Sequence, residues 1–130
     1  MKVLIVDDSA TIRMILKGQL KKLGFTDLEE ATDGKAALDY LSKNEIGLLL
    51  LDIHMPNMGG LSCLESIKGN PALAAIPVII VSSDTTPSQI ESAKLLGAHA
   101  YVRKPFRIEG LRDALSLVFP TQDFSGNPAP

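Results

Sequence analysis

Three uninterrupted apolar runs, Val3-Leu4-Ile5-Val6, Leu48 to Leu51 and Val78-Ile79-Ile80-Val81, set the tightest limit on how this chain can fold. A strand with one wet face alternates polar and apolar residues, so a short run with no polar break suits a strand covered on both faces. Asp27 to Thr32 and His99 to Val102 are weaker, more polar strand candidates. Helical spacing fills the intervals. Ile12, Ile15, Leu16, Leu20 and Leu23 recur three and four residues apart, and Gly24 supplies a stop. Leu38 and Leu41 follow Asp33-Gly34; Leu61, Leu64 and Ile67 precede Gly69-Asn70-Pro71. Thr86-Pro87-Ser88-Gln89 has the pattern of a capping box with proline at the first helical position, opening a helix that ends near Gly97. Ile108, Leu111, Leu115 and Val118 make a last helix.

Five strand-helix units in succession predict an α/β fold: one five-stranded parallel sheet with five helices shared between its two faces. The three greasy runs belong at the centre and the two polar ones at the edges, which fits the strand order 2-1-3-4-5. A chain of 130 residues makes one domain, and a net charge of −2 gives no basic surface for nucleic acid or an anionic membrane. No apolar run approaches the roughly 20 residues of a membrane span and the N-terminus has no signal pattern, so a cytoplasmic location is expected. The lone Cys63 cannot form an internal disulfide and reads as a buried helix thiol. Residues 1–119 read as the domain and 120–130, "PTQDFSGNPAP", as a flexible tail or linker.

In an open parallel sheet ligands bind beyond the carboxyl ends of the strands. Just past the greasy runs stand Asp7 and Asp8, then Asp52, then Ser82; past the fifth strand stands Lys104. The first and third strands are expected neighbours, so three carboxylates converge on one rim. Like charges so placed raise one another's pKa unless a cation sits among them. All-oxygen donors with few carboxylates suit Mg²⁺ better than Ca²⁺, zinc or softer ions. The formal charges of three carboxylates, one Mg²⁺ and Lys104 cancel, and such a site can take a phosphoryl group on Asp52 as nucleophile, with Ser82 and Lys104 on its oxygens. Singly each residue has a plainer role: Asp7-Asp8-Ser9 as a helix cap, Ser82-Ser83-Asp84 as a polar turn, Lys104 as a solvated charge. It is their joint placement at successive strand ends that favours the site.

The stretches "VLIVDDS", "LLLLDIHMPNMGG", "PVIIVSS" and "GAHAYVRKPF" resemble the receiver domain of two-component response regulators, most nearly the stand-alone chemotaxis regulators, over roughly residues 1 to 119. The resemblance implies the flavodoxin-like receiver fold. It implies that Asp52 accepts a phosphoryl group from a phosphohistidine on a sensor histidine kinase or histidine phosphotransfer protein. It implies that Asp8, Asp52 and the backbone carbonyl of His54 bind Mg²⁺ directly, with Asp7 acting through water. Ser82 and Lys104 would hold phosphoryl oxygens, Tyr101 would be the switch aromatic, and the bond before Pro105 would be cis. The output expected is protein binding by the surface of the fourth helix, fifth strand and fifth helix, on a monomer or a weak activation-dependent dimer. No nucleic acid or membrane partner is implied.

Some positions depart from the family pattern. Ser82 stands where threonine is more usual. Gly59 replaces an aspartate often found before the second glycine, which predicts a more flexible loop. His54 and Asp84 occupy the two variable positions beside the acceptor and are expected to tune phosphate lifetime. A flavin carrier on the same fold would need a phosphate-cradling loop where Asp7-Asp8 puts negative charge. A phosphatase of the haloacid-dehalogenase type needs a second Asp where His54 stands. The expectation is therefore a switch, catalysing only its own phosphorylation and slow dephosphorylation; the alternatives are a receiver from a larger regulator and a phosphate sink without output.

Overall fold

A computed structural model describes residues 1–124. Strands β1 (Lys2–Val6), β2 (Asp27–Ala31), β3 (Leu48–Leu51), β4 (Val78–Ser82) and β5 (Ala100–Arg103) alternate with helices α1 (Ala10–Lys22), α2 (Gly34–Leu41), α3 (Gly60–Lys68), α4 (Pro87–Leu95) and α5 (Ile108–Val118). All pairings are parallel and the order is β2-β1-β3-β4-β5, as the polarity of the runs predicts.

The greasy runs are explained by what each face meets. Val3, Ile5, Leu48, Leu50, Ile79 and Val81 pack with Leu16 and Leu20 of α1 and Leu111 and Leu115 of α5. Their neighbours Leu4, Val6, Leu49, Leu51, Val78 and Ile80 pack with Ala37, Leu41, Cys63, Leu64, Ile67 and Ala93 of α2, α3 and α4. Successive strand residues point to opposite faces, so two dry faces require apolar residues at every position. The edge strand β2 has no such demand and carries Glu29 and Glu30 outward.

Local chemistry fixes the helix ends. Ser9 caps α1 and Asp33 caps α2, each side chain accepting a backbone N–H from the first turn. Gly24 and Gly97, at φ 101° and 99°, let the chain leave α1 and α4 in the left-handed region. The capping box expected at Thr86 does not form: Thr86 is the N-cap and Pro87 follows, yet the Thr86 hydroxyl donates to Asp84 Oδ1 at 2.8 Å. Donating to that carboxylate turns the hydroxyl toward the loop upstream, away from the first-turn N–H that a capping box has it accept. Cys63 is buried in α3, where burial pushes its thiol up to about 11. His99 is exposed, as expected of an edge, but has a partner: its Nδ1 accepts the Val78 N–H at 3.2 Å.

The stretch expected to be a flexible tail packs where it is described, residues 125–130 lying outside the described residues. Gln122 N–H donates to the Phe119 carbonyl, and Phe124 is buried with its ring stacked on Phe25, centroids 5.8 Å apart. Polar and Pro/Gly-rich composition concealed one aromatic able to stack on Phe25 and join the core. Phe124→Ala is expected to lower unfolding free energy by about 2–3 kcal/mol, below the usual cost of a deep core site because a terminal segment can fray. A urea melt checks it; an unchanged midpoint would return the segment to a tail.

Candidate functional site

The backbone ladder runs on past the strands and carries the acidic residues with it. Asp7 N–H donates to the Ala31 carbonyl, Asp52 N–H to Val6 at 3.0 Å and Lys104 N–H to Ser82 at 2.8 Å. The side chains at these ends therefore emerge at one level of one rim. Asp7, Asp8 and Asp52 each present a carboxylate oxygen within 4.8 Å of the others. Lys104 Nζ lies 2.6 Å from Asp7 Oδ2 and 3.4 Å from Asp52 Oδ2.

Asp7 and Asp52 are buried while Asp8 faces solvent, so the cluster is open on one side. Burial pushes the Asp52 carboxyl above its ordinary range; the Lys104 ammonium pulls it back and the Asp7 charge adds to the rise. Ile53 N–H donates to Asp52 Oδ1 at 2.8 Å and fixes the carboxylate's rotation, leaving Oδ2 toward Lys104. The set consists of hard oxygens with one ammonium, and its excess negative charge suits a small divalent cation.

Ser82 is fully buried, and its Oγ accepts the Asp84 N–H at 3.1 Å. The Tyr101 hydroxyl donates to the Asp84 carbonyl. Burial raises the Tyr101 phenol above its ordinary range. Thus Ser82, Asp84 and Tyr101 form a second group linking β4, the loop after it and β5. The Lys104-Pro105 bond is cis.

His54 and Asp84 meet: Nε2 and Oδ2 are 2.8 Å apart, bridging the loops after β3 and β4, with the imidazole largely exposed. The bond from His54, reinforced by two from Thr86, holds the Asp84 carboxyl below the usual range. Sequence placed both beside Asp52; that they touch is a tertiary fact. The loop after β3 has its left-handed residue at Asn57, φ 64°, rather than at Gly59, whose φ of −73° any residue adopts. Asn57 Nδ2 donates to Asp33 Oδ2 at 2.7 Å and Gly34 N–H to the Met58 carbonyl, tying this loop to the start of α2. Gly60 N–H donates to the Ile53 carbonyl at 2.7 Å, so α3 begins directly against the acceptor's peptide.

Sequence reasoning missed Arg13. Its guanidinium donates to the Asp7 carbonyl at 2.7 Å and to Glu30 at 3.0 Å. An arginine in the first turns of an amphipathic helix carries no local signal that separates it from a solvated charge.

Comparison with known proteins identifies the family and the fold. The family model described as "Response regulator receiver domain" matches residues 3–116. The chain is 37% identical over 119 residues to chemotaxis protein CheY-3 of Vibrio cholerae serotype O1, covering 92% of each. It is 38% identical to chemotaxis protein CheY of Pseudomonas aeruginosa, covering 92% of this chain and 96% of that one. The solved structure of the chemotaxis response regulator CheY4 of Vibrio cholerae superposes with a TM-score of 0.82 at 31% identity, over 90% of this chain and 97% of that one.

Proposed function

Since the chain belongs to the response regulator receiver domain family, we propose that it is a phosphorelay switch in which Asp52 takes a phosphoryl group from a phosphohistidine. The donor is a sensor histidine kinase or a histidine phosphotransfer protein. One observation carries the reading: three carboxylates from two adjacent strand ends converge within 4.8 Å, and one ammonium reaches both buried members.

The residues fit a resident Mg²⁺, which Asp8, Asp52 and the His54 carbonyl would hold, with Asp7 through water. When bound it supplies positive charge against the phosphoryl oxygens and the carboxylates. The chain's own residues do the rest. Ile53 N–H fixes the Asp52 carboxylate in one rotation. A carboxylate oxygen of Asp52 forms the new P–O bond as the P–N bond breaks, and the electron pair leaves on the imidazole. Lys104 is already between Asp7 and Asp52 and needs only a small shift to reach a phosphoryl oxygen. The buried Ser82 hydroxyl binds another, which takes it from its contact with the Asp84 N–H.

The switch follows from that exchange. Tyr101 is held by Asp84, whose N–H bonds Ser82, so a change at Ser82 passes through Asp84 to the ring's resting place on the α4-β5-α5 face. That face then binds a downstream protein, in chemotaxis-like signalling as the names of the relatives suggest. The protein turns over no other substrate; it promotes its own phosphorylation and slow hydrolysis. Among the described residues no helix is long and apolar enough to cross a membrane. The domain, read from the sequence as residues 1–119, takes in Phe124 as well, which packs in its core against Phe25.

Incubation with Mg²⁺ and acetyl phosphate is expected to add one phosphoryl group to the intact mass, absent with chelator and in Asp52→Ala. If no adduct appears, beryllofluoride decides: a change in the Tyr101 environment means hydrolysis outran detection, and no change contradicts the switch. The His54–Asp84 bridge ties together the loops that follow β3 and β4, the first of which begins at Asp52. Replacing both residues with alanine is expected to alter the acyl-phosphate lifetime several-fold, measured by decay of the adduct after donor removal. An unchanged lifetime would remove both from the mechanism.

A further inference from the structure

Arg13 reaches the acidic rim from outside it. Its Nη1 donates to the Asp7 carbonyl at 2.7 Å and its Nε to Glu30 Oε1 at 3.0 Å. Lys17, one turn further along α1, binds the other Glu30 oxygen at 3.2 Å. The Arg13 side chain is only 15% exposed, so the fork is seated rather than waving in solvent. Burial pushes the Glu30 carboxyl up, but the bonds from Lys17 and Arg13 outweigh it and hold it below the usual range. The anchor is therefore a charged carboxylate at neutral pH.

The carbonyl that Arg13 holds belongs to the peptide joining Asp7 to Asp8. Turning that carbonyl turns the Asp8 N–H and swings the Asp8 Cα relative to Asp52. The Asp7 side chain is fixed separately, by Ser9 N–H at Oδ1 and Lys104 at Oδ2. Asp8, by contrast, is the exposed member of the cluster. We infer that Arg13, braced on Glu30, is a positioning residue that sets the Asp7–Asp8 peptide and so holds the Asp8 carboxylate where a divalent cation needs it. This rests on the reading of Asp7, Asp8 and Asp52 as a metal site. It assigns part of that site's geometry to the edge strand β2 and to α1.

Charge and position predict opposite results, which makes the role testable. An arginine acting only as a nearby positive charge repels the cation, and its removal tightens binding. One acting through the peptide's orientation weakens binding when removed. Groups that orient metal ligands typically cost 10–100-fold in affinity when mutated. The measurement is calorimetric titration of the full chain with Mg²⁺, alongside thermal melts without metal. Arg13→Met is expected to weaken Mg²⁺ binding about tenfold. Arg13→Lys keeps the charge but cannot span both acceptors with a planar fork, and is expected to behave like Arg13→Met. Lys17→Met removes a charge from Glu30 without touching Asp7 and is expected to bind Mg²⁺ as the wild type does. Should Arg13→Met fold poorly, Arg13→Lys decides alone. Undiminished binding in the Arg13 variants, beside a wild type that binds, overturns the role of Arg13 and leaves the metal site standing. A wild type that binds no Mg²⁺ overturns both.

Discussion

Gly60→Ala is expected to damage the acceptor more than any other single-methyl change in the chain. A Cβ at Gly60 would stand 1.9 Å from the Asp52 carbonyl oxygen, 2.8 Å from its carbon and 2.9 Å from the Ile53 Cα. All three are backbone atoms, so no side chain can swing aside. Either α3 lifts at its first residue or the Asp52–Ile53 peptide moves, breaking the Gly60-to-Ile53 hydrogen bond. Overpacking of this kind costs about 3 kcal/mol. The Asp52 carboxylate would move with its peptide, and a displacement near 1 Å is worth on the order of 100-fold in rate. Urea melts and the initial rate of phosphoryl uptake measure the two effects. Gly18→Ala is the control: nothing lies within 4 Å of its Cβ and it sits inside α1. There the same methyl should stabilise, by about 0.5–1 kcal/mol, through helix propensity.

Leu50→Ala should cost about 3–4 kcal/mol, within the range for a fully buried leucine whose surroundings relax only in part. Leu50 is completely buried on β3, opposite Ile5 on one side and Ile79 on the other. It faces α1 and α5 in the cluster that contains Leu16, Leu20, Leu111 and Leu115. Against a total stability of about 5–15 kcal/mol for a domain, that loss is large. The urea midpoint should fall with an unchanged slope, since the same surface is exposed on unfolding. The molecules that remain folded should still take up phosphate, because Leu50 packs into the α1/α5 core and supplies no group to the rim. A much smaller loss would mean the α1/α5 face repacks around the gap.

These two sites also show what a sequence reveals. Leu50 was legible because burial on both faces forces an apolar residue at every position of β3, and that pattern needs no long-range information. Asp7, Asp8, Asp52 and Lys104 were legible for a related reason: once the strands are placed, the residues just past them are placed too. Ser82 was legible as the end of its apolar run, although it proves to be the last residue of β4 rather than the first beyond it. The interactions between loops were not. His54 and Asp84 are 30 positions apart and their hydrogen bond depends on how two loops lean. Arg13 looked like any charge on a surface helix. Thr86 matched a capping box whose hydroxyl Asp84 drew away. Gly59 suggested backbone freedom that the loop actually uses at Asn57. Phe124 sat in a segment whose composition argued for a tail, and only the fold brings the Phe25 ring alongside for it to stack on.

The central claim is that Asp52, and neither neighbouring carboxylate, carries the phosphoryl group. Borohydride reduces an aspartyl phosphate to homoserine and leaves free carboxylates alone. Peptide sequencing after reduction of the Mg²⁺- and donor-treated protein therefore reads the acceptor directly. The account predicts homoserine at position 52, with Asp7 and Asp8 recovered intact. Homoserine at 7 or 8, or an adduct that resists borohydride, would contradict it.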